Sequence, residues 1–193
     1  MEAFRDEAVD HEVLASEKVY EGRVWDVRSD TVRYGDGEIV RQYVDHPGAA
    51  AVVAIDDEQR VVLIQQYRHP IKAREWEIPA GLLDVEGEPP AESAKRELAE
   101  EVDLVAGRWQ PLLTMHPSPG GNDEILHIFL ARDLSVAPEA FDREDEEADI
   151  RVERMRLDDT ITAILEGRLR NGILIAGVLA AAEVLRREAA AEN

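Results

Sequence analysis

Three glutamates crowd one face of a predicted helix in the stretch KRELAEEVD, residues 95–103. Glu97, Glu100 and Glu101 have the spacing i, i+3, i+4, so their carboxylates share one helix face and repel each other by roughly 0.2–0.5 kcal/mol per pair. One interpretation is a solvated helix face in an acidic chain, with Arg96 offsetting part of the repulsion. The other is a site for a hard cation, because Mg²⁺ takes oxygen ligands and is commonly held by one or two carboxylates together with substrate phosphate.

A longer pattern contains these glutamates and extends from Gly81 to Leu104. It resembles the Nudix box, in which a glycine is followed by a glutamate after five residues and, seven residues later, by the run Arg-Glu-apolar-x-Glu-Glu-x-Gly-apolar. The positions that match are Gly81, Glu88, Arg96, Glu97, Leu98, Glu100, Glu101 and Leu104. A match of this length, placed between a predicted strand and a predicted helix, favours the cation site over the solvated face.

Two positions depart from the Nudix pattern. Six residues, not five, separate Gly81 from Glu88, so the loop carries one extra residue. Asp103 stands where the family has glycine, and we expect it to end the helix in a left-handed conformation, which Asp tolerates better than most residues. An acid there opposes the helix dipole. Neither departure removes an expected metal ligand.

The resemblance implies an α+β fold of the Nudix type, an α/β/α sandwich with a mixed β-sheet, and an enzyme that hydrolyses a nucleoside diphosphate linked to another group. It also implies a divalent cofactor, Mg²⁺ or alternatively Mn²⁺, which would neutralise the pyrophosphate charge and activate water for attack. The implied metal ligands are Glu97 and Glu101, with Glu100 assisting, and the backbone carbonyl of Ala80. Arg96, Glu97 and Glu100 are accordingly predicted to be catalytic.

An acidic segment, residues 139–149, precedes the last predicted strand. It resembles the corresponding loop of ADP-ribose pyrophosphatases, and the resemblance points to Glu146 as the general base, with Glu147 as the alternative. Composition alone also fits a solvated run of charges. We predict that Glu146 orients or deprotonates the attacking water.

The resemblance to ADP-ribose pyrophosphatases covers most of residues 15–185. The stretch SPGGNDE, residues 118–124, is similar to the Pro-Gly loop of these enzymes, although it also fits an ordinary turn. The implied substrate contacts in this loop are Pro119, Gly120 and Glu124.

Four further residues are implied to contact the substrate. Arg68 in QQYR and Arg41 in IVRQYV are candidates for binding phosphate oxygens bidentately, although surface ion pairing is the alternative. Trp25 occupies the place where the family stacks an aromatic ring on adenine, and packing is the alternative role. Glu77 is a candidate contact to ribose or to the metal shell.

The predicted reaction converts ADP-ribose and water into AMP and ribose 5-phosphate. Within the same chemistry, the alternative substrates are other nucleoside diphosphate derivatives, such as a nucleotide sugar, or an oxidised nucleotide. From another class, a Nudix-fold module could sense a nucleotide without cleaving it. The intact glutamates of the box argue against a pure sensor, which has no need for them.

The elements that must position these residues form an α+β pattern. Residues 12–46 alternate apolar and polar side chains and predict an antiparallel meander, expected by resemblance to form a homodimer interface within a region 1–47. Residues 48–193 are predicted to form the hydrolase domain. The apolar run 49–55 is typical of a strand buried on both faces, and strands 60–68 and 74–81 follow it.

The rest of the chain is predicted to alternate between strands and helices. The box helix has Pro89 or Pro90 in its first turn and a buried stripe of Ala94, Leu98 and Val102. The later predicted elements are strands 109–116, 124–131 and 150–156 and helices near 158–166 and 172–189.

Composition excludes several classes of function. The 193-residue chain carries 42 acidic and 22 basic residues, a formal charge of -20, which argues against nonspecific binding to nucleic acid or anionic lipid. With no cysteine it has neither disulfides nor thiolate chemistry, which fits a reducing compartment. Its start lacks a signal-peptide pattern, and its longest apolar run is about half of a membrane span. We therefore expect a soluble, cytoplasmic protein that binds a small nucleotide.

Overall fold

The computed structural model describes residues 4–138, 141 and 149–191. The chain divides into a first unit, Met1–His46 with Ser118–Glu124, and a second unit, Pro47–Pro117 with Ile125–Asn193. The strands are β1 (Val13–Tyr20), β2 (Asp26–Tyr34), β3 (Gly37–Asp45), β4 (Ala49–Ala54), β5 (Arg60–Arg68), β6 (Ala73–Glu77), β7 (Ala80–Leu82), β8 (Leu104–Met115), β9 (Leu126–Val136) and β10 (Arg151–Arg156). The helices are α1 (Pro90–Val102), α2 (Leu157–Leu165) and α3 (Gly172–Ala191).

The first unit contains the predicted meander, which is confirmed. Strands β1, β2 and β3 pair in that order, each antiparallel to its neighbour. The segment 118–124 joins this sheet at the end of β3, where the Val44 amide donates a hydrogen bond of 2.9 Å to the Gly121 carbonyl. The His46 amide likewise donates to the Asp123 carboxylate at 2.8 Å.

The second unit is built on β4, which is buried along its whole length, as its apolar run predicts. It lies in a mixed sheet of order β7-β4-β9-β8, in which β4 is parallel to β9. Because side chains alternate along a strand, β4 serves two cores. Ala50 and Val52 pack in the cluster that contains the buried residues of α1, whereas Ala51 and Val53 pack in the cluster of α2 and α3. Helices thus cover both faces, and the predicted α/β/α sandwich is confirmed.

The predicted strand 74–81 is wrong as a single element. Its first part, β6, pairs with β5 in an antiparallel sheet of order β10-β5-β6, and its last part, β7, pairs with β4 in the mixed sheet. Pro79 lies between them, and proline has no backbone N–H to continue a ladder. Its carbonyl accepts from the Val52 amide at 2.8 Å. The chain therefore changes sheets next to Glu77 and Ala80.

Helix α1 follows its predicted pattern closely. Pro90 occupies its first position, and the stripe of Ala94, Leu98 and Val102 is only 0%, 0% and 7% exposed. Asp103 follows the last helical residue with φ of 54° and ψ of 37°, which confirms the left-handed ending. The later predicted strands and helices are also present, with β8 and β9 longer than expected. Within the described residues, the chain has no helix with the length and apolarity to span a membrane.

Asp56 organises the turn that leads from β4 to β5. Its Oδ1 accepts from the Glu58 and Arg60 amides at 3.0 and 2.9 Å, and its Oδ2 accepts from the Arg60 guanidinium at 2.9 Å. Burial acts to raise the pKa of Asp56, but the hydrogen bonds from Arg60 outweigh it and lower the pKa overall. The stabilisation is thus complete above the ordinary Asp pKa of about 3.9 and is lost as pH falls through the lowered value.

We expect Asp56→Ala to lower the free energy of unfolding by about 2–3 kcal/mol, because it leaves two turn amides without their acceptor. Asp56→Asn keeps one acceptor oxygen and should cost about half as much, and its stability should depend less on pH below 4. Exposed Asp57 is the matched control, and Asp57→Ala should change stability by less than about 0.5 kcal/mol. Urea denaturation at pH 7 and pH 3 measures each value; equal losses for the two alanine variants would contradict this role.

Candidate active site

Two of the three box glutamates that lie on α1 point inward. Glu97 is 9% exposed and Glu101 is 5% exposed, whereas the Glu100 side chain is 33% exposed. A solvated helix face therefore does not describe Glu97 or Glu101. Carboxylates at this depth need hydrogen-bond donors, since an uncompensated buried charge is costly. The donors come from α1 itself and from the start of β7.

Arg96 supplies donors to three of the carboxylates. Its Nη1 donates to Glu97 at 2.6 Å and to Glu100 at 3.0 Å. Its Nε and Nη2 donate to the two oxygens of Glu88 at 3.3 and 3.1 Å. The hydrogen bond with Glu88 and the charges of Glu97 and Glu100 raise the pKa of Arg96 above its ordinary value. Glu88 thus reaches the cluster despite the extra residue in its loop.

The start of β7 lies against the two buried carboxylates. The Ala80 amide donates to Glu101 Oε2 at 2.9 Å. The α-carbon of Gly81 lies against Glu97 so closely that a Cβ there would overlap the Glu97 carboxylate. The box glycine is therefore required by close approach of a side chain. Sequence reasoning left Gly81 and Glu88 out of the predicted site, although their positions in the box were the signal that could have included them.

The donor set fits a hard divalent cation in its chemistry. The carboxylates of Glu88, Glu97 and Glu100 contact the Arg96 guanidinium, and the Glu101 carboxylate contacts the β7 backbone. With four negative charges and one positive charge, the cluster keeps an excess of negative charge. Within the described part of the chain, no three His, Cys, Asp or Glu side chains converge closely enough to hold a metal ion on their own. Mg²⁺ commonly needs only one or two carboxylates, with water and substrate phosphate completing its shell.

Arg68 and Glu77, predicted as separate substrate contacts, form one ion pair. The Arg68 Nε and Nη2 donate to the two oxygens of Glu77 at 2.8 and 2.7 Å. Glu77 is 5% exposed, and the Arg68 side chain is 46% exposed. In the antiparallel ladder of β5 and β6, Glu77 lies opposite Ile64 and Arg68 lies opposite Ala73, so the two side chains meet along the ladder and not directly across it. Bidentate pairing fixes both side chains in a defined geometry.

The other predicted substrate contacts in the described chain lie in the first unit. Trp25 is 46% exposed as a residue, and its ring stacks on His46 with 5.6 Å between ring centroids, so it is not a core residue. The Arg41 side chain donates to the Val40 carbonyl at 2.9 Å. Pro119 and Gly120 are exposed, and Glu124 is half-buried.

Two predicted residues cannot be placed, since Glu146 and its alternative Glu147 lie outside the described residues. Trp76 packs against the core of the second unit but is only partly buried. The Arg151 guanidinium lies 5.5 Å from the centroid of its ring.

We expect Gly81→Ala to lower the free energy of unfolding by about 1–3 kcal/mol, because the new methyl group displaces the Glu97 carboxylate. In a Glu97→Ala background the obstacle is absent, so the same substitution should cost less than half as much. Gly172→Ala is the control, since a Cβ there meets no atom within 4 Å. Urea denaturation of the parent, the two single variants and the double variant gives the coupling free energy; equal costs of Gly81→Ala in both backgrounds would refute the contact with Glu97.

Comparison with known proteins is consistent with this geometry. The family model described as the NUDIX domain matches residues 45–178. The chain is 43% identical over 174 residues to the ADP-ribose pyrophosphatase of Mycobacterium tuberculosis, covering 89% of this chain and 83% of the relative. It is 35% identical to the ADP-ribose pyrophosphatase of Bacillus subtilis, covering 81% and 84%. It is also 35% identical to the methanol dehydrogenase activator of Bacillus methanolicus, covering 83% and 86%.

A solved structure shares the fold. A crystal structure described as an ADP compounds hydrolase superposes with a TM-score of 0.78 at 22% identity, covering 95% of this chain and 98% of that one. At this identity the likeness concerns the fold alone. The family model spans more than half of the chain and includes the whole of α1. The chain therefore belongs to the Nudix family.

Proposed function

We propose that this Nudix pyrophosphohydrolase cleaves the pyrophosphate bond of ADP-ribose to give AMP and ribose 5-phosphate. The observation that carries the chemistry is the pair of buried carboxylates, Glu97 and Glu101, held against Ala80 and Gly81. The choice of substrate is supported by the two relatives named ADP-ribose pyrophosphatase.

The cofactor in this proposal is Mg²⁺, with Mn²⁺ as the alternative, held by Glu97, Glu101, Glu100 and the Ala80 carbonyl. When bound, divalent cations neutralise the diphosphate and make water a better nucleophile. The protein fixes the positions of the ligand carboxylates, because Arg96 donates hydrogen bonds to Glu97 and Glu100 and the Ala80 amide donates one to Glu101. Because each carboxylate is fixed before substrate arrives, little reorganisation is needed during the reaction.

Two further sets of residues complete the proposal. Glu146, or Glu147 in its place, orients the attacking water or takes its proton. The substrate contacts are Trp25, Arg41, Arg68, Glu77, Pro119, Gly120 and Glu124. For Trp25, the exposed ring supports a stacking role, since a core residue would be covered. For Arg68, the bidentate bond to Glu77 is the ion pairing given above as the alternative, so its role on the substrate is carried by the resemblance alone.

The organisation of the chain is part of the same proposal. Residues 1–47 form the dimerisation region of a homodimer, and residues 48–193 form the hydrolase domain. Exposed apolar side chains on β1–β3 support a partner surface there; they are Val13, Val19, Tyr20, Tyr34 and Val40. The proposed compartment is the cytoplasm, where a chain without cysteine loses nothing to reducing conditions.

We expect ADP-ribose to be the preferred substrate in a panel of nucleotide sugars, an oxidised nucleotide and nucleoside triphosphates. AMP and ribose 5-phosphate should form in equal amounts, and EDTA should abolish turnover until Mg²⁺ is restored. Chromatographic quantification of both products measures this directly. A clear preference for a nucleoside triphosphate, or full turnover in EDTA, would overturn the proposal.

We expect Glu97→Gln and Glu101→Gln each to lower kcat at least about 100-fold, because neutral amides bind divalent cations weakly. Each variant should also need more Mg²⁺ for half-maximal rate. Glu92→Gln is the matched control on the same helix, since Glu92 pairs with Lys95 at 2.8 Å at the surface. Steady-state kinetics with Mg²⁺ titration test this. Wild-type rates in both Glu97→Gln and Glu101→Gln would show that these glutamates take no part in the reaction.

A further inference from the structure

Trp25 and His46 form a pair of rings at one end of the meander in the first unit. Asp26 lies opposite Asp45 at the end of the β2–β3 ladder, so Trp25 and His46 are the next residues beyond that pair. Their rings stack with 5.6 Å between centroids and 29° between planes. This separation is typical of offset-stacked aromatic rings, which attract each other. The register of β2 and β3 therefore explains why the two rings meet.

The backbone at His46 is fixed by the segment 118–124 and by the sequence around it. The His46 amide donates a hydrogen bond of 2.8 Å to Asp123 Oδ1. The Val44 amide also donates to this segment, at 2.9 Å. Pro47 follows His46 and disfavours helical backbone angles at the residue before it. His46 is half-buried, and these contacts hold the backbone that carries its ring.

Trp25 is an exposed side chain just before the start of β2. It remains 46% exposed as a residue although His46 covers part of its ring. Within the described residues, His46 is the one aromatic ring that contacts it. A ligand that must order an exposed side chain loses binding free energy, and a contact that orders the side chain beforehand removes that cost. His46 supplies such a contact and leaves the exposed part of Trp25 open to a ligand.

We infer that His46 is a positioning residue that fixes the Trp25 ring as the platform for the adenine base. The inference rests on the proposed function, in which Trp25 stacks on adenine. The base, the Trp25 ring and the His46 ring then form three layers, with the base on the part of Trp25 that His46 leaves open. Without the His46 ring, Trp25 is still present but has more rotational freedom. Binding of the base therefore weakens, while the contacts to phosphate and to the second ribose remain.

The test measures binding of AMP and of ribose 5-phosphate to the full chain in Mg²⁺ by isothermal titration calorimetry. We expect His46→Ala to raise the Kd of AMP about three- to tenfold, the effect of one aromatic pair, and to leave the Kd of ribose 5-phosphate unchanged. KM for ADP-ribose should rise by a similar factor with kcat unchanged. His46→Phe keeps a ring at this position and should bind AMP like the parent. Equal weakening of both ligands, as a purely structural role predicts, would overturn the inference.

Two further variants make the test specific to the ring pair. His11→Ala is the matched control, because His11 makes a similar contact, 5.1 Å between centroids, with exposed Tyr34 in the same unit. It should leave both Kd values unchanged. In a Trp25→Ala background, His46→Ala should have no further effect on AMP binding, because the ring that it positions is absent. An undiminished effect in that background would overturn the inference.

The remaining outcomes separate this inference from the proposed function. Tighter AMP binding by His46→Ala would overturn the inference, because it would show that the His46 ring occupies the place of the base. ADP-ribose turnover by the parent, without any effect of His46→Ala on AMP binding, would overturn the inference and leave the proposed function standing. Absence of ADP-ribose turnover in the parent would show that the proposed function has failed, and the inference would fail with it.

Discussion

The site depends on the hydrogen bonds that Arg96 makes within a group of carboxylates. One guanidinium contacts Glu88, Glu97 and Glu100, so the negative charge of the group exceeds what it neutralises. An arginine suits this position because its guanidinium stays charged at any working pH and can donate hydrogen bonds in several directions at once. The remaining negative charge attracts divalent cations and repels a free diphosphate. In the proposed reaction, a divalent cation would therefore accompany the substrate at this end of α1.

The second constraint is the change of sheet at Pro79. A continuous strand would hold residues 73–82 in one ladder. The break instead ends β6 at Glu77, paired with Arg68, and starts β7 at Ala80, whose amide binds Glu101. Because β7 pairs with the fully buried β4, the β7 backbone is supported by the core and places Ala80 and Gly81 against α1. The well-packed core thus fixes the position of the backbone that contacts the Glu97 and Glu101 carboxylates.

Much of the fold could be predicted from the sequence because its signals are local. Alternation marks β1–β3, an unbroken apolar run marks β4, and a stripe at i, i+4, i+8 marks the buried side of α1. The division of the stretch 74–81 between two sheets could not be predicted. Periodicity reports which face of a strand is buried, but it does not report which partner strand provides its hydrogen bonds. The pairing of β5 with β10 joins segments that are far apart in the chain, and no local pattern encodes it.

The sequence by itself determined which side chains share a helix face, since that follows from 3.6 residues per turn, and it determined that Asp103 would end the helix in the left-handed region. Tertiary structure decided what those side chains touch. The burial of Glu97 against Gly81 and the pairing of Arg68 with Glu77 arise where separate segments meet. Spacing along one helix is a property of neighbouring residues. The hydrogen-bond partner of a carboxylate is a property of whichever backbone the core packs beside it.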